Sequence, residues 1–418
     1  MYAGWNDRIP SPINSSANPG AVDPHSNSGG RRMVRINNVT LALAPESSGE
    51  KTYRSTDNGA SWNLIDSNPT FSSCLITGAD EYVYHFYQSG DNILMVKYKY
   101  DGTPPSPVII YSNPAVSESG TGAYRAVNAI VDSNGVLYVA THWGGVDQMY
   151  LLSSSDEGFT WNGPTLLSAG TGPWYYPHLE VSQSNILYCI FNQWETHELV
   201  CVKSFDQGLS WFRNTISIEL TYNASLLTVG ENNLFVFAQS GESVHEGLVF
   251  NSSSDRGNTW NDWQLVDPTC GYADPSPALG EDGTIYVAYR SSNGTGVTTG
   301  TCGDQCRSRL AMSVDDGNNW TFPDNYYNAE RVGTRSQARY QTWFNYGGPL
   351  EWIWMQYVND GNQHPIFYDI NVDVQIFNLS QSKKYQRTDV ERKIGVYKLN
   401  PIQMNKDSVL RAIDNYLK

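Results

Sequence analysis

The sequence predicts an all-β chain folded as a β-propeller, and three observations predict it. First, the octapeptide S-x-D-x-G-x-x-W occurs five times in the 418 residues, closing at Trp62, Trp161, Trp211, Trp260 and Trp320. Second, these tryptophans lie 99, 50, 49 and 60 residues apart, and a period of roughly 50 marks a propeller or an array. Third, the chain between copies runs in short β-rich segments of alternating polarity, four to a unit. Four-stranded antiparallel sheets arranged around an axis leave only short edges, so one large domain suffices.

Each residue of the octapeptide has a structural task. Aspartate in a tight turn accepts hydrogen bonds from nearby backbone N–H groups. Glycine supplies a positive-φ position without steric cost. Tryptophan packs a large ring beneath the turn. The repeat therefore reads as a hairpin staple joining the third and fourth strands of a unit.

The units follow in order. Residues 31–66 and 72–112 make the first two, with a degenerate staple at Lys99-Tyr100-Asp101-Gly102-Thr103. The third reads VNAIVDSN, VLYVATHW, MYLLSSS, staple, PTLLS. Three more cover about 174–219, 222–267 and 272–327. A seventh, about 335–377, keeps ARYQTWFNY, EWIWMQY, HPIFYDI and VDVQIF but has lost its staple. Seven blades are expected, six being the alternative. The propeller spans residues 31–380. Residues 1–30, rich in Pro, Ser and Asn, are expected to wrap the rim or close the ring. Residues 381–418 are lysine-rich with apolar residues at helical spacing (Val409, Leu410, Ile413, Leu417), and read as a linker or an oligomer contact.

Composition narrows the function. Charged residues are 17%, aromatics 13% and net charge −15, which excludes disorder and disfavours nucleic acid as a partner. No apolar run is long enough to span a membrane, and the start of the chain lacks signal-peptide character. Seven N-x-S/T sequons (Asn14, Asn38, Asn223, Asn251, Asn293, Asn319, Asn378) point to a glycoprotein that is secreted, on a cell surface or carried on a virion. Six cysteines leave disulfides and buried thiols both open, with Cys189 and Cys201 in successive apolar runs. Cys302 and Cys306 lack a second ligand pair, so zinc is disfavoured, and no cofactor is expected.

Chemistry is expected on the rim opposite the staples, where innermost strands begin and second strands end. Those positions collect Arg31, Arg32, Arg125, Trp174, Tyr176, His178, Tyr222, Asp274, Arg339 and Tyr340, with His142, Trp143, Trp194, Glu195, Arg290 and Tyr357. Arginine forks bind carboxylate or sulfate bidentately, and aromatic faces stack on sugars. Against this, Arg31 and Arg32 read as solvated edge residues and His178 as structural. His142 reads as a core histidine nearly as well as a catalytic one. An acidic protein with arginines at its axis suggests an anionic glycan.

The repeats resemble the Asp-boxes, or BNR repeats, of the sialidase superfamily, over about residues 30–377. The stretch from Asp274-Pro275-Ser276-Pro277 to Tyr289-Arg290 resembles the sialidase segment in which an acid precedes a triad arginine by about fifteen positions. The resemblance implies that Arg290 and Arg339 bind a carboxylate. It sets Asp274 where the family has the glutamate assisting a tyrosine nucleophile, with Tyr340, Tyr357 and Tyr368 in the region. Arg35, or Arg8 of Arg8-Ile9-Pro10, would be the first arginine, and Asp23 the nearest acid/base candidate. A sialidase-like glycosidase is the first reading. A lyase for uronic-acid polymers is the second, using His142 with Tyr175 or Tyr176 and Arg125 or Arg290. A non-catalytic glycan-binding propeller, using Trp143, Trp174 and Trp194, is the third.

Overall fold

The computed structural model describes residues 11–14, 31–46, 49–68, 73–78, 81–112, 127–143, 148–168, 174–193, 195–219, 221–240, 247–267, 275–292, 306–322, 337–344, 348–357 and 366–376. The described residues are all β. The first sheet is β2 (Met33–Ile36), β3 (Val39–Glu46), β4 (Gly49–Ser55) and β5 (Asn63–Asn68). The second is β6 (Ser73–Thr77), β7 (Tyr82–Ser89), β8 (Asn92–Lys99) and β9 (Val108–Ser112). The third is β10 (Val127–Val131), β11 (Leu137–Trp143), β12 (Gln148–Ser154) and β13 (Asn162–Leu166). The fourth is β14 (Trp174–Val181), β15 (Leu187–Gln193), β16 (Leu199–Ser204) and β17 (Phe212–Ser217). The fifth is β18 (Thr221–Val229), β19 (Asn233–Ser240), β20 (Gly247–Ser253) and β21 (Gln264–Asp267).

Two sheets depart from the expected pattern. β22 (Ser276–Leu279), β23 (Ile285–Ser292) and β24 (Cys306–Ser313) form a three-stranded sheet, where only a Met312–Thr321 bridge stands in the fourth-strand position. The closing sheet pairs β25 (Gln337–Phe344), β26 (Gly348–Tyr357) and β27 (Ile366–Ile376) with β1 (Ser11–Asn14). The expected seven blades are therefore not supported, and six, the alternative, fits better: six sheets carry four strands among the described residues. HPIFYDI and VDVQIF, expected as two strands, supply the single strand β27, and the outer place is taken by the N-terminal β1.

The staples behave as turns with an internal carboxylate. In the first copy Ser61 N donates to Asp57 Oδ1 at 2.9 Å, and Gly59 N donates to Ser55 Oγ at 2.8 Å. The same pattern recurs at Asp156, Asp206, Asp255 and Asp315. Each later tryptophan packs against the preceding sheet. Trp161 meets Phe86 edge-on at 5.8 Å, and Trp320 meets Phe237 at 5.8 Å. A Cβ on Gly158, which has φ 89°, would come within 2.7 Å of Met95 Cε. Glycine is needed there for both its backbone and its close approach.

Four innermost strands are stitched to the next sheet from one register position. Cys74 Sγ reaches Ala129 O at 3.9 Å. Asn128 Oδ1 accepts Leu179 N at 3.1 Å, and His178 Nδ1 accepts Leu226 N at 2.6 Å. Ser225 Oγ donates to Pro275 O at 2.7 Å. His178 is structural, as expected, but Arg31 and Arg32 are not solvated edge residues. Arg31 is buried and crosses from the first sheet to the third and fourth. Its guanidinium donates to Ala129 O at 2.9 Å, Leu179 O at 3.1 Å and Glu180 at 2.9 Å. Arg32 pairs with buried Glu50, which also accepts Ser73 Oγ.

Cys74, Cys189 and Cys201 are buried free thiols. Cys189 and Cys201 contribute to different core clusters, on the two faces of their sheet. Asn223 and Asn251 are buried in their strands, while Asn38 lies exposed in the β2–β3 turn. Among the described residues no helix is long and apolar enough to cross a membrane. Residues 381–418 lie outside the described residues.

Candidate functional site

Antiparallel order fixes which rim each residue reaches. Asp-boxes join third to fourth strands, so innermost strands start, and second strands end, at the opposite rim. That rim carries a repeated irregularity. In β14, Tyr176 and Pro177 together oppose the one residue Phe191, because register breaks between Tyr175↔Asn192 and His178↔Ile190. In β18, Asn223 and Ala224 oppose Ala238. In β25, Arg339, Tyr340 and Gln341 oppose Met355. Bulges bend a strand and re-aim side chains, and they concentrate beside active sites. Here they hold Tyr176, Arg339 and Tyr340 of the sequence-derived set.

Strand ends bring further candidates to this rim. His142 and Trp143 end β11, and Trp143 pairs with Gln148. Arg290 lies near the end of β23 opposite Ser308, and Tyr357 ends β26 opposite Gln337. β11 packs on β14, and β23 packs on β25. Two groups result: His142, Trp143 and Tyr176 on the third and fourth sheets, and Arg290, Arg339, Tyr340 and Tyr357 on the three-stranded and closing sheets. Glu195 is exposed in the turn following β15 on the same rim. Arg125, Trp194 and Asp274 lie outside the described residues, as do Arg8 and Asp23.

Several candidates turn out to be placed for packing. Arg35 sits at the staple end of β2. Its guanidinium donates to Asn37 O at 3.0 Å, Thr40 Oγ1 at 3.1 Å and Asn58 Oδ1 at 2.7 Å, clamping the first Asp-box. The spacing that recommended it places it on the wrong rim. Trp174 is 2% exposed, meets Phe191 edge-on at 5.3 Å and lies under the Arg213 guanidinium at 4.8 Å. That leaves it no face for a sugar. His142 is fully buried, so it acts on a substrate only through a neighbour.

Sequence reasoning missed two polar groups. Glu180 lies beside Arg31 in the axial core, where burial pushes its carboxyl up to about 7 against the pull of Arg31. Its signal was an acid two residues after His178, on the same side of a strand. The second group joins neighbouring sheets at the candidate rim. Tyr289 donates its hydroxyl to Asp267, and Arg309 Nη1 donates to the same carboxylate oxygen at 3.0 Å. The Tyr289 hydroxyl is held protonated by burial first and by Asp267 second. Nothing in the local sequence pairs residues 42 positions apart. Among the described residues no three His, Cys, Asp or Glu side chains gather as a metal site.

The family model described as a BNR repeat-like domain matches residues 107–324, just over half of the chain. The chain belongs to this family. These are the Asp-box propellers of the sialidase superfamily, and the resemblance seen in the staples is borne out. No curated protein matches the chain. Among solved structures, a polysaccharide lyase described as an ulvan lyase bound to -[GlcA(1-4)Rha3S]- is similar over 91% of this chain and 98% of its own. It has 10% identity and a TM-score of 0.58. A protein of unknown function from Dyadobacter fermentans has 14% identity and a TM-score of 0.50, covering 72% of this chain and 94% of its own. At these identities the likeness is one of fold. The BNR repeat-like chain thus presents its bulged rim on a fold that glycan-acting enzymes also use.

Proposed function

We propose that this protein is an enzyme that cleaves an acidic polysaccharide at the bulged rim, by β-elimination next to a uronate. The observation that carries the reading is the bulge in β14, which sets Tyr176 out of register beside the strand end bearing His142. Elimination needs few parts. An arginine, Arg125, Arg290 or Arg339, neutralises the uronate carboxylate and acidifies the adjacent C5 proton. Tyr176 as phenolate takes that proton. The electron pair forms the C4–C5 double bond, and the C4–O bond breaks. The leaving oxygen takes a proton from Tyr176 or from water. Buried His142 positions the tyrosine. The ulvan lyase match in fold supports this choice of chemistry.

A glycosidase is the second reading, supported by a separate observation. Arg290, Arg339, Tyr340 and Tyr357 reach one rim on adjoining sheets, as carboxylate ligands and tyrosine nucleophile of a sialidase-like hydrolase would. Action outside the cell accords with a polymeric substrate, and residues 381–418 would link the propeller to a larger assembly.

The test is a screen of uronate polymers, sulfated polysaccharides and sialosides that records ultraviolet absorbance of unsaturated products alongside new reducing ends. Lyase action gives both signals from a uronate polymer. Hydrolysis gives reducing ends alone. Binding without either product sets aside both enzymatic readings in favour of a glycan-binding propeller.

A further inference from the structure

The bulges in β14 and β18 are copies of one device. Leu187 and Leu234 hold equivalent places, each opposite the serine of its Asp-box, Ser204 and Ser253. Counting from them, His178 corresponds to Ser225, Tyr176 to Asn223 and Tyr175 to Tyr222. Register breaks at the same step in both strands. The two bulges are made differently. The first contains Pro177, which has no N–H to leave unpaired. The second contains Asn223 with φ 53°, in the left-handed region, at 1% exposure.

A left-handed non-glycine residue inside a strand is uncommon, and asparagine is one of the few that tolerate it. Such strain clusters where function over-determines the backbone. The triplet Asn223-Ala224-Ser225 reads as a glycosylation sequon. Its asparagine is buried, however, and its serine hydroxyl is committed to Pro275 O.

We infer that Asn223 is a positioning residue of the glycan site: its left-handed backbone sets the β18 bulge and so fixes Tyr222 at the rim, in register with Tyr175. Tyr175 and Tyr222 stand at one repeated register position on neighbouring, mutually packed innermost strands, a placement suited to successive rings of a polymer. Tyr222 contacts the polymer, and Asn223 acts through it. The inference rests on the polysaccharide reading of this rim.

The experiment compares Asn223→Gly, Asn223→Ala, Tyr222→Ala and Tyr222→Phe in the full chain, measuring kcat, KM and thermal unfolding on the acidic polysaccharide found in the screen. Glycine keeps the backbone freedom, so Asn223→Gly stays within about threefold of the parent kcat/KM. Asn223→Ala and Tyr222→Ala each raise KM about tenfold with kcat changed less, and their double variant adds little. Tyr222→Phe keeps the ring and most of the affinity. Equal behaviour of Asn223→Gly and Asn223→Ala, or an unchanged KM in Tyr222→Ala, overturns the inference. If Asn223→Ala does not fold, the two Tyr222 variants still decide. A parent protein that neither binds nor cleaves any acidic polysaccharide removes the reading of the rim and this inference together. An active parent with indifferent variants removes the inference alone.

Discussion

Arg31 shows how a single side chain can hold a ring together. Its guanidinium spans from the first sheet to backbone carbonyls of the third and fourth, and to Glu180. Removing one partner of a buried ion pair costs ~3–5 kcal/mol, since the other is left uncompensated. Arg31→Ala is expected to lose stability of that order in denaturant unfolding. Glu180 adds a pH signature. Burial raises its folded value to about 7, above the ordinary 4.5. The contribution is fully present below the ordinary value and is lost as pH rises through about 7. Glu180→Gln should flatten that decline between roughly pH 4.5 and 7, read as midpoint against pH. Arg31 was visible in the sequence as a candidate ligand. Its real partners, 97 to 149 positions away, could be found only after the ring was closed.

At the scale of elements, the Asp-box carries both chemistry and geometry. The carboxylate of Asp206 is held at about 2, chiefly by the Ser210 hydroxyl and then by the Ser210 N–H. Asp57, Asp156 and Asp255 are held at the same value by their own hydroxyl and N–H donors. These values lie below the unfolded 3.8, so their stabilisation is present above that pH and lost as pH falls through about 2. Acid unfolding followed by circular dichroism should begin below about pH 4, and a chain with Asp206→Asn should show a shallower acid limb. Gly158→Ala should cost ~1–2 kcal/mol from its left-handed backbone alone, before any clash with Met95. The boxes were legible because every feature of the turn is local. The three bulges were not, because they are relations between strands. Tyr176, Asn223 and Arg339 are set apart by what they face across the ladder, which no local pattern in the sequence records. Arg35 was misread for the same reason: letter spacing cannot tell one rim from the other.

At the scale of the whole molecule, the repeat made the ring legible and its closure only partly so. The N-terminal β1 completes the last sheet beside β27, a pairing of about 350 residues' separation that no local pattern announces. Deleting residues 1–14 exposes the edge of β27, and unpaired edges recruit other chains. The truncated protein should melt at lower temperature and aggregate on heating, as seen by light scattering. The closed ring also shows a division, with staples on one rim and the innermost-strand bulges on the other. The most direct measurement of that division is the ultraviolet absorbance of unsaturated product formed from a uronic-acid polymer by the parent protein and by Tyr176→Phe. The expected result is steady product from the parent and a loss of about 10²–10⁴-fold in Tyr176→Phe, with the thermal midpoint unchanged. Undiminished turnover in Tyr176→Phe would contradict the account.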